Sequence, residues 1–108
     1  MVKIVVLKSA AEDFGEIKQA YRQRHTADMV QRFLAEFHKL FERMKQYPES
    51  GVLVEEARAV GANIRQHLCQ QVRVIHHYDR SEDIIYVRMF LPTKKSFVEH
   101  LTNRILRP

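Results

Sequence analysis

Arginine and histidine side chains alternate with other residues along two neighbouring predicted strands of this chain. Arg65 and His67 lie two positions apart, and Arg73 lies in the strand that follows. Because alternate side chains of a strand share one face, we expect these three groups to lie together on one face of a sheet. Guanidinium groups bind phosphate and carboxylate oxygens, and an imidazole can exchange a proton near neutral pH. The pattern therefore predicts an anion-binding surface on which His67 is the candidate general base.

Each of these side chains also has a purely structural interpretation. An arginine stem can lie along apolar surface while its head pairs with Asp79, Asp83 or Glu99. His67 can equally be an ordinary strand histidine without a catalytic role. Next to Arg65 and Arg73, however, the protonated form of His67 would be disfavoured, which suits a base.

Other reactive residue types show no useful spacing. His76 and His77 are adjacent in a predicted strand and so point to opposite faces, where they cannot easily share one metal ion. Cys69 is the only cysteine, which excludes an internal disulfide, and its neighbours do not activate a thiol. The chain has no glycine-rich phosphate loop and no acidic metal cluster. We expect neither a cofactor nor a bound metal.

The net positive charge lies entirely on the second half of the chain. Residues 1–57 hold nine Lys/Arg and nine Asp/Glu, so the whole formal charge of +5 lies on residues 58–108. Such a charge distribution favours a nucleic acid, a nucleoprotein machine or an acidic protein as the partner. An ordinary soluble protein whose basic surface binds no partner could have the same composition.

Length and hydrophobicity predict one small globular domain. The chain has 108 residues, of which 45% are hydrophobic, so one packed core over residues 1–108 is expected and disorder is not. The apolar run from Val2 to Leu7 is too short for a membrane span or a secretion signal. The expected location is therefore the cytoplasm.

The predicted elements begin with a strand at Val2–Leu7. A capping box at Ser9–Glu12 predicts a first helix that runs to about Arg24, and Thr26 predicts the start of a second helix that Pro48 ends. Two helices joined by so short a link should pack as an antiparallel hairpin.

Three strands and a last helix complete the prediction. The strands are expected at residues 64–68, 72–78 and 84–91, and a second capping box at Ser96–Glu99 predicts the C-terminal helix. The class is α+β in the order β-α-α-β-β-β-α, with the hairpin on one face of a small, mainly antiparallel twisted sheet. In the last strand the face that the hairpin should cover consists of Ile85, Val87, Met89 and Leu91. The opposite face would carry Arg65, His67, Arg73 and Arg88.

Several strings of this chain resemble the RelE/ParE superfamily of toxins from type II toxin–antitoxin systems. The stretch Ser9–Ile17 and the pair Tyr47-Pro48 resemble the ParE-type helical hairpin. Asn63–Leu68 and Val72–Ile75 resemble the two middle strands of the family, and Asp83–Phe90 resembles its last strand. The likeness extends over nearly the whole chain.

The resemblance implies two alternative activities on one scaffold. RelE-like members cleave mRNA in the ribosomal A site, and ParE-like members poison DNA gyrase. Arg65 and His67 match strand positions that are basic in the nucleases, and Arg73 matches the arginine of the next strand. After the last strand the basic position of the family corresponds to Lys94 or Lys95.

The chain also departs from the nuclease pattern. Val98 stands where the nucleases have a C-terminal tyrosine, and Pro92 stands where many members have a histidine. In a nuclease, His67 would be the base that activates a ribose 2′-hydroxyl, and Arg65, Arg73 and Lys94 or Lys95 would hold the phosphate. In a gyrase inhibitor, Arg65, Arg73, Arg88, Lys94 and Lys95 would be contact residues.

The resulting hypothesis is a growth-inhibiting toxin, silenced by a cognate antitoxin whose acidic and apolar segment neutralises it. The ParE-like first half favours gyrase as the target, and a ribosome-dependent mRNA endoribonuclease is the alternative. A basic RNA- or protein-binding domain without toxicity is the third interpretation. A homodimer and a toxin–antitoxin hetero-oligomer both stay open.

Overall fold

The computed structural model of the protein describes residues 2–58 and 63–94. Within them lie β1 (Lys3–Val6), α1 (Lys8–Arg24), α2 (Ala27–Gln46), β2 (Val52–Leu53), α3 (Glu55–Arg58), β3 (Arg65–Cys69), β4 (Val72–Asp79) and β5 (Ile84–Pro92). The strands form one sheet in the order β1-β5-β4-β3-β2, in which β1 is parallel to β5 and the other pairs are antiparallel. The predicted α+β class is confirmed. The helix predicted from Ser96 lies outside the described residues.

The two long helices form as their sequences predict, but one cap differs. Met29 N–H donates to the side-chain oxygen of Thr26 at 3.2 Å, which confirms Thr26 as the N-cap of α2. The predicted cap of α1 at Ser9 is wrong, because α1 already begins at Lys8 and its N-cap is Leu7, which makes no side-chain cap bond. The backbone therefore turns directly from β1 into the helix.

One face of the sheet is covered by the helical hairpin. Phe33, Phe37 and Leu40 of α2 are 1–4% exposed and pack on this side, which we call the helix face. Phe14 of α1 joins the cluster, and its ring centroid lies 4.9 Å from that of Phe90 in β5. Burial of these large aromatic and aliphatic side chains supplies most of the stabilisation. The strand residues in this core are Val72, Val74, Ile85, Val87 and Phe90.

A β-bulge in β5 divides the predicted apolar face between the two sides of the sheet. His76 pairs with Val87 but Ile75 pairs with Met89, so Arg88 is an extra residue between the two pairs. Side chains after the bulge point the other way from those predicted by simple alternation. The expected single face of Ile85, Val87, Met89 and Leu91 is therefore wrong.

The second side of the sheet, which we call the outer face, carries a small core of its own. Met89 and Leu91 pack there with Ile75, and Val54 and Ala57 from the α3 segment complete the cluster. All five are at most 5% exposed. The sequence predicts no element between Pro48, which ends the second helix, and the strand from residue 64, so it missed both β2 and α3.

A buried carboxylate ties α1 to the bulged strand. β1 ends at Val6, which pairs with Val87, so β1 does not reach Phe90. The amide of Phe90 donates to Asp13 Oδ2 at 3.2 Å, and Asp13 is 6% exposed. Because an unpaired buried amide is costly, this bond stabilises the point at which the β1 ladder stops.

The hairpin between β3 and β4 has a two-residue turn, Gln70-Gln71. Both residues have positive φ, 52° and 61°, and Cys69 pairs directly with Val72. The register that follows places His67 opposite Val74 and Leu68 opposite Arg73. Since paired residues share a face, odd-numbered residues of β3 lie on the same side as even-numbered residues of β4.

The cost of this turn provides a stability test. Left-handed backbone costs a residue with a Cβ about 1–2 kcal/mol, and glycine escapes that cost. We expect Gln71→Gly to raise the free energy of unfolding by about 1 kcal/mol in a urea titration, since a two-residue turn of this kind favours glycine at its second position. The control Gln71→Ala keeps the Cβ and should leave the midpoint nearly unchanged. An equal response of the two variants would contradict the turn geometry.

Candidate functional site

The candidate base lies on the helix face, not on the outer face. His67 pairs with Val74 and Arg65 pairs with His76, and both partners belong to the side that α1 and α2 cover. The segment that follows α2 passes over these side chains and brings Ser50 and Gly51 to them. We call Ser50, Gly51, Arg65, His67 and His76 the His67 cluster.

Short contacts hold the cluster together. Ser50 Oγ lies 3.0 Å from His67 Nε2, and Arg65 Nη1 donates to the carbonyl oxygen of Gly51 at 3.0 Å. The rings of His67 and His76 stack with their centroids 5.1 Å apart and their planes 10° from parallel. The segment 50–51 is thus attached to β3 through two different side chains.

Gly51 is required where the segment touches the imidazoles. Its φ is +104°, and a Cβ on it would lie 2.8 Å from the Gln66 carbonyl oxygen. The same Cβ would lie 3.2 Å from His76 Nε2 and 3.3 Å from His67 Nε2. Only glycine combines this backbone conformation with so close an approach.

The surroundings of the two histidines favour neutral rings. Burial lowers the pKa of His67, and the nearby Arg43 of α2 lowers it further. Burial lowers the pKa of His76 to about 4, with smaller contributions from the charges on His67, Arg65 and His77. His76 is 1% exposed, and neither ring nitrogen has a hydrogen-bond partner among the residues that the structure describes. A neutral His67 has the protonation state that a general base needs.

Arg73 does not join this cluster. It lies on the outer face, where its Nε donates to Gln66 Oε1 at 2.6 Å and its Nη2 lies 3.4 Å from Glu56 of α3. The prediction that Arg65, His67 and Arg73 share one face is therefore wrong. The physical reason is the two-residue turn, which puts Arg73 opposite Leu68 rather than beside His67.

The other predicted cations are also dispersed. Arg88 is the exposed extra residue of the bulge, and Lys94 is exposed just after β5. Lys95 lies outside the described residues. Arg73 pairs with a carboxylate, as its structural interpretation expects, but this partner is Glu56, which that interpretation did not name. Glu99 lies outside the described residues.

The cluster can offer a base and a cation, but only after rearrangement. For His67 Nε2 to accept a proton from a substrate hydroxyl, the Ser50 hydroxyl must leave it, and the Arg65 guanidinium must turn away from Gly51 to meet a phosphate. Sequence reasoning missed Ser50, Gly51 and His76. Ser50 and Gly51 lie between two predicted elements, and nothing in the sequence indicates that Ser50 contacts His67, 17 residues away in the chain.

Residues 2–58 and 63–94 contain no group of three or more His, Cys, Asp or Glu side chains that could hold a metal ion. Burial raises the pKa of the Cys69 thiol, so the thiolate is disfavoured there. In the same part of the chain no helix has the length and apolar character needed to cross a membrane.

Comparison with known proteins gives one family. The family model described as the ParE toxin of the type II toxin–antitoxin system parDE matches residues 4–97. No curated protein is similar enough to the chain to count as a relative.

Two glycines provide a matched test of the cluster. We expect Gly51→Ala to lower the free energy of unfolding by about 2 kcal/mol, because the new Cβ meets the Gln66 carbonyl and both imidazoles in a left-handed conformation. Gly15→Ala places its Cβ in open space on α1 and should raise stability by about 0.5–1 kcal/mol. Thermal unfolding of both variants measures the contrast, and a Gly51→Ala protein as stable as the wild type would refute the close approach.

The buried His76 should make the protein sensitive to acid. Its folded pKa is about 4 and its unfolded pKa about 6.5, so the unfolded state binds the proton first as the pH falls. The stability that this neutral ring contributes is complete above pH 6.5 and is lost as the pH falls toward 4, a change of about 3 kcal/mol.

Urea titrations between pH 4 and 7.5 test this, with His76→Leu as the comparison. The leucine variant keeps the carboxylates that also titrate but lacks the imidazole, so its stability should fall less over the same window. Identical pH slopes for the two proteins would show that His76 is not buried as a neutral ring.

Proposed function

Because this chain belongs to the ParE toxin family of type II toxin–antitoxin systems, we propose that it inhibits growth by poisoning DNA gyrase. A cognate antitoxin silences it in the same cell, and the compartment of both is the cytoplasm. The family supports the toxin and the presence of an antitoxin partner. The geometry of the described residues supports gyrase as the target.

The observation that carries the gyrase proposal is the separation of His67 from Arg73. A metal-independent nuclease needs a base and cations around one phosphate. Here Arg73 points to the outer face and is engaged by Gln66 and Glu56, while His67 lies on the helix face under Ser50. A toxin that acts by binding gyrase needs no proton transfer and no such convergence.

The antitoxin would neutralise this protein through charge and apolar contact together. The chain carries a formal charge of +5, so an acidic segment with interspersed apolar residues would be attracted to it and could cover apolar surface. Such a partner lowers the concentration of free toxin without any chemical change in the toxin.

Ribosome-dependent mRNA cleavage is the second candidate, and one observation favours it. Arg65 and His67 share a face, and the pKa of His67 is lowered, so a neutral base lies two residues from a guanidinium. In that reaction His67 accepts the proton of a ribose 2′-hydroxyl, whose oxygen attacks the adjacent phosphorus while Arg65 stabilises the phosphate charge. The bond from phosphorus to the 5′-oxygen of the next nucleotide breaks, and that oxygen leaves with a proton from solvent, so the products are a 2′,3′-cyclic phosphate and a 5′-hydroxyl. Target binding would have to displace Ser50 and Gly51 first.

Purified components distinguish the two candidates. With gyrase, ATP and relaxed plasmid, the protein should reduce supercoiling and leave cleaved DNA bound to gyrase after detergent and protease treatment. Relaxation by a type I topoisomerase, which has no gyrase subunits, serves as the control and should not change. Full supercoiling at saturating protein would refute the gyrase proposal.

The parallel assay uses ribosomes programmed with a defined mRNA. If the wild type cleaves this mRNA and the His67→Ala variant does not, mRNA cleavage replaces gyrase poisoning as the proposed function. Induced expression in a bacterium without antitoxin completes the test, because normal growth with folded protein present would contradict toxicity itself.

A further inference from the structure

An apolar groove lies on the helix face at the end of the sheet where β4 begins. It measures about 360 Å³ and lies between the last turns of α1 and the turn that joins β3 to β4. Its apolar lining comes from Ile17, Ala20, Tyr21, Phe33, Val72 and Pro92. The volume falls in the range of clefts that accept a ligand or a few side chains of a partner.

The mouth of this groove is cationic. Arg24 at the end of α1 and Lys94 after β5 both line it, and both are exposed. Among the described residues its lining contains no Asp or Glu, and its other polar groups there are His25, Gln70, Gln71 and Thr93. An occupant therefore meets positive charge and hydrogen-bonding groups around an apolar floor.

These two cations differ from many others on the surface. Arg32 pairs with Asp28 and Lys39 with Glu36 along α2. Within residues 2–58 and 63–94, neither Arg24 nor Lys94 has a carboxylate at ion-pair distance. Two cations that the described residues leave without a carboxylate, beside apolar surface, complement a segment that carries both carboxylates and apolar side chains.

We propose that this groove is the surface through which the toxin docks an acidic, partly apolar protein segment of DNA gyrase. The inference rests on the proposed function and adds to it the place of contact and the chemistry of the contacting segment. Apolar side chains of gyrase fill the floor, and its carboxylates meet Arg24 and Lys94.

The aromatic residues of the groove favour a protein over a nucleic acid. The ring of Tyr21 is stacked between His25, at a centroid distance of 3.9 Å, and Phe33, at 4.1 Å. Both faces of Tyr21 are therefore occupied, and Phe33 is only 3% exposed. Nucleic-acid sites usually present an open ring for a base and cations along a phosphate backbone, whereas here neither Tyr21 nor Phe33 offers a free ring face and the rest of the apolar floor is aliphatic.

Charge reversal at the mouth tests the proposal in the full-length chain. The double variant Arg24→Glu/Lys94→Glu changes only exposed side chains and should keep the fold. The control Arg32→Glu/Lys39→Glu makes the same change in net charge at two exposed positions of α2 that do not line the groove. Circular dichroism and thermal unfolding verify that both variants are folded.

The readout is the concentration that halves supercoiling by purified gyrase, together with retention of gyrase on immobilised toxin. We expect the groove variant to need about tenfold more protein or worse, because two attractive charges become repulsive. The control variant should stay within about twofold of the wild type, since the two exposed ion pairs that it breaks contribute little and salt screens its long-range effect. A third variant, Ala20→Trp, fills the groove without altering charge and should also weaken inhibition.

The outcomes separate the two proposals. If the wild type inhibits gyrase and both groove variants inhibit it equally well, the groove is not the contact and the proposed function stands. If the groove and control double variants weaken equally, net charge and not the groove is responsible, which also overturns the inference. If the wild type itself leaves gyrase unaffected, the proposed function fails and the groove proposal fails with it.

Discussion

The turn at Gln70-Gln71 sets the register on which the arrangement of the functional side chains depends. A two-residue connection pairs Cys69 with Val72, and every later pair between β3 and β4 follows from that one. A connection longer by one residue would exchange the two faces of β4 relative to β3. Arg73 would then lie beside His67, in the arrangement that a phosphate-cleaving site needs. The positive φ of two glutamines thus determines which charges can act together.

The bulge at Arg88 has a comparable effect on the core. It lets one strand contribute Ile85 and Val87 to the side under the helices, and Met89 and Leu91 to the side under α3. A sheet of this size would otherwise leave one face open to water or to a partner. Here both faces bury apolar side chains, so a flat cationic face is not available. Asp13, which accepts from the Phe90 amide, helps to hold the strand in this position.

The two surfaces to compare as binding sites are therefore the His67 cluster and the groove beside Arg24 and Lys94. The His67 cluster is closed by Ser50 and Gly51, and its two imidazoles lie in surroundings that keep them neutral. The groove beside Arg24 and Lys94 is open and combines apolar lining with cations that the described part of the chain leaves without a carboxylate. For a toxin of the ParE family, an open groove with unbalanced charge is better suited to capture a protein target than a closed histidine pair.

The sequence by itself determined the class of the fold, the two long helices, the family and the approximate bounds of four strands. These features depend on local periodicity, on caps such as Thr26 and on breakers such as Pro48, all of which are readable from neighbouring residues. Only the tertiary structure decided which side chains share a face. Gln70-Gln71 carries none of the usual sequence signals of a tight turn. The bulge at Arg88 has no sequence signal either. The contact of Ser50 with His67 joins residues that are far apart in the chain. Because side chains alternate with period two, a shift of one position in either place moves a charge to the opposite side of the sheet.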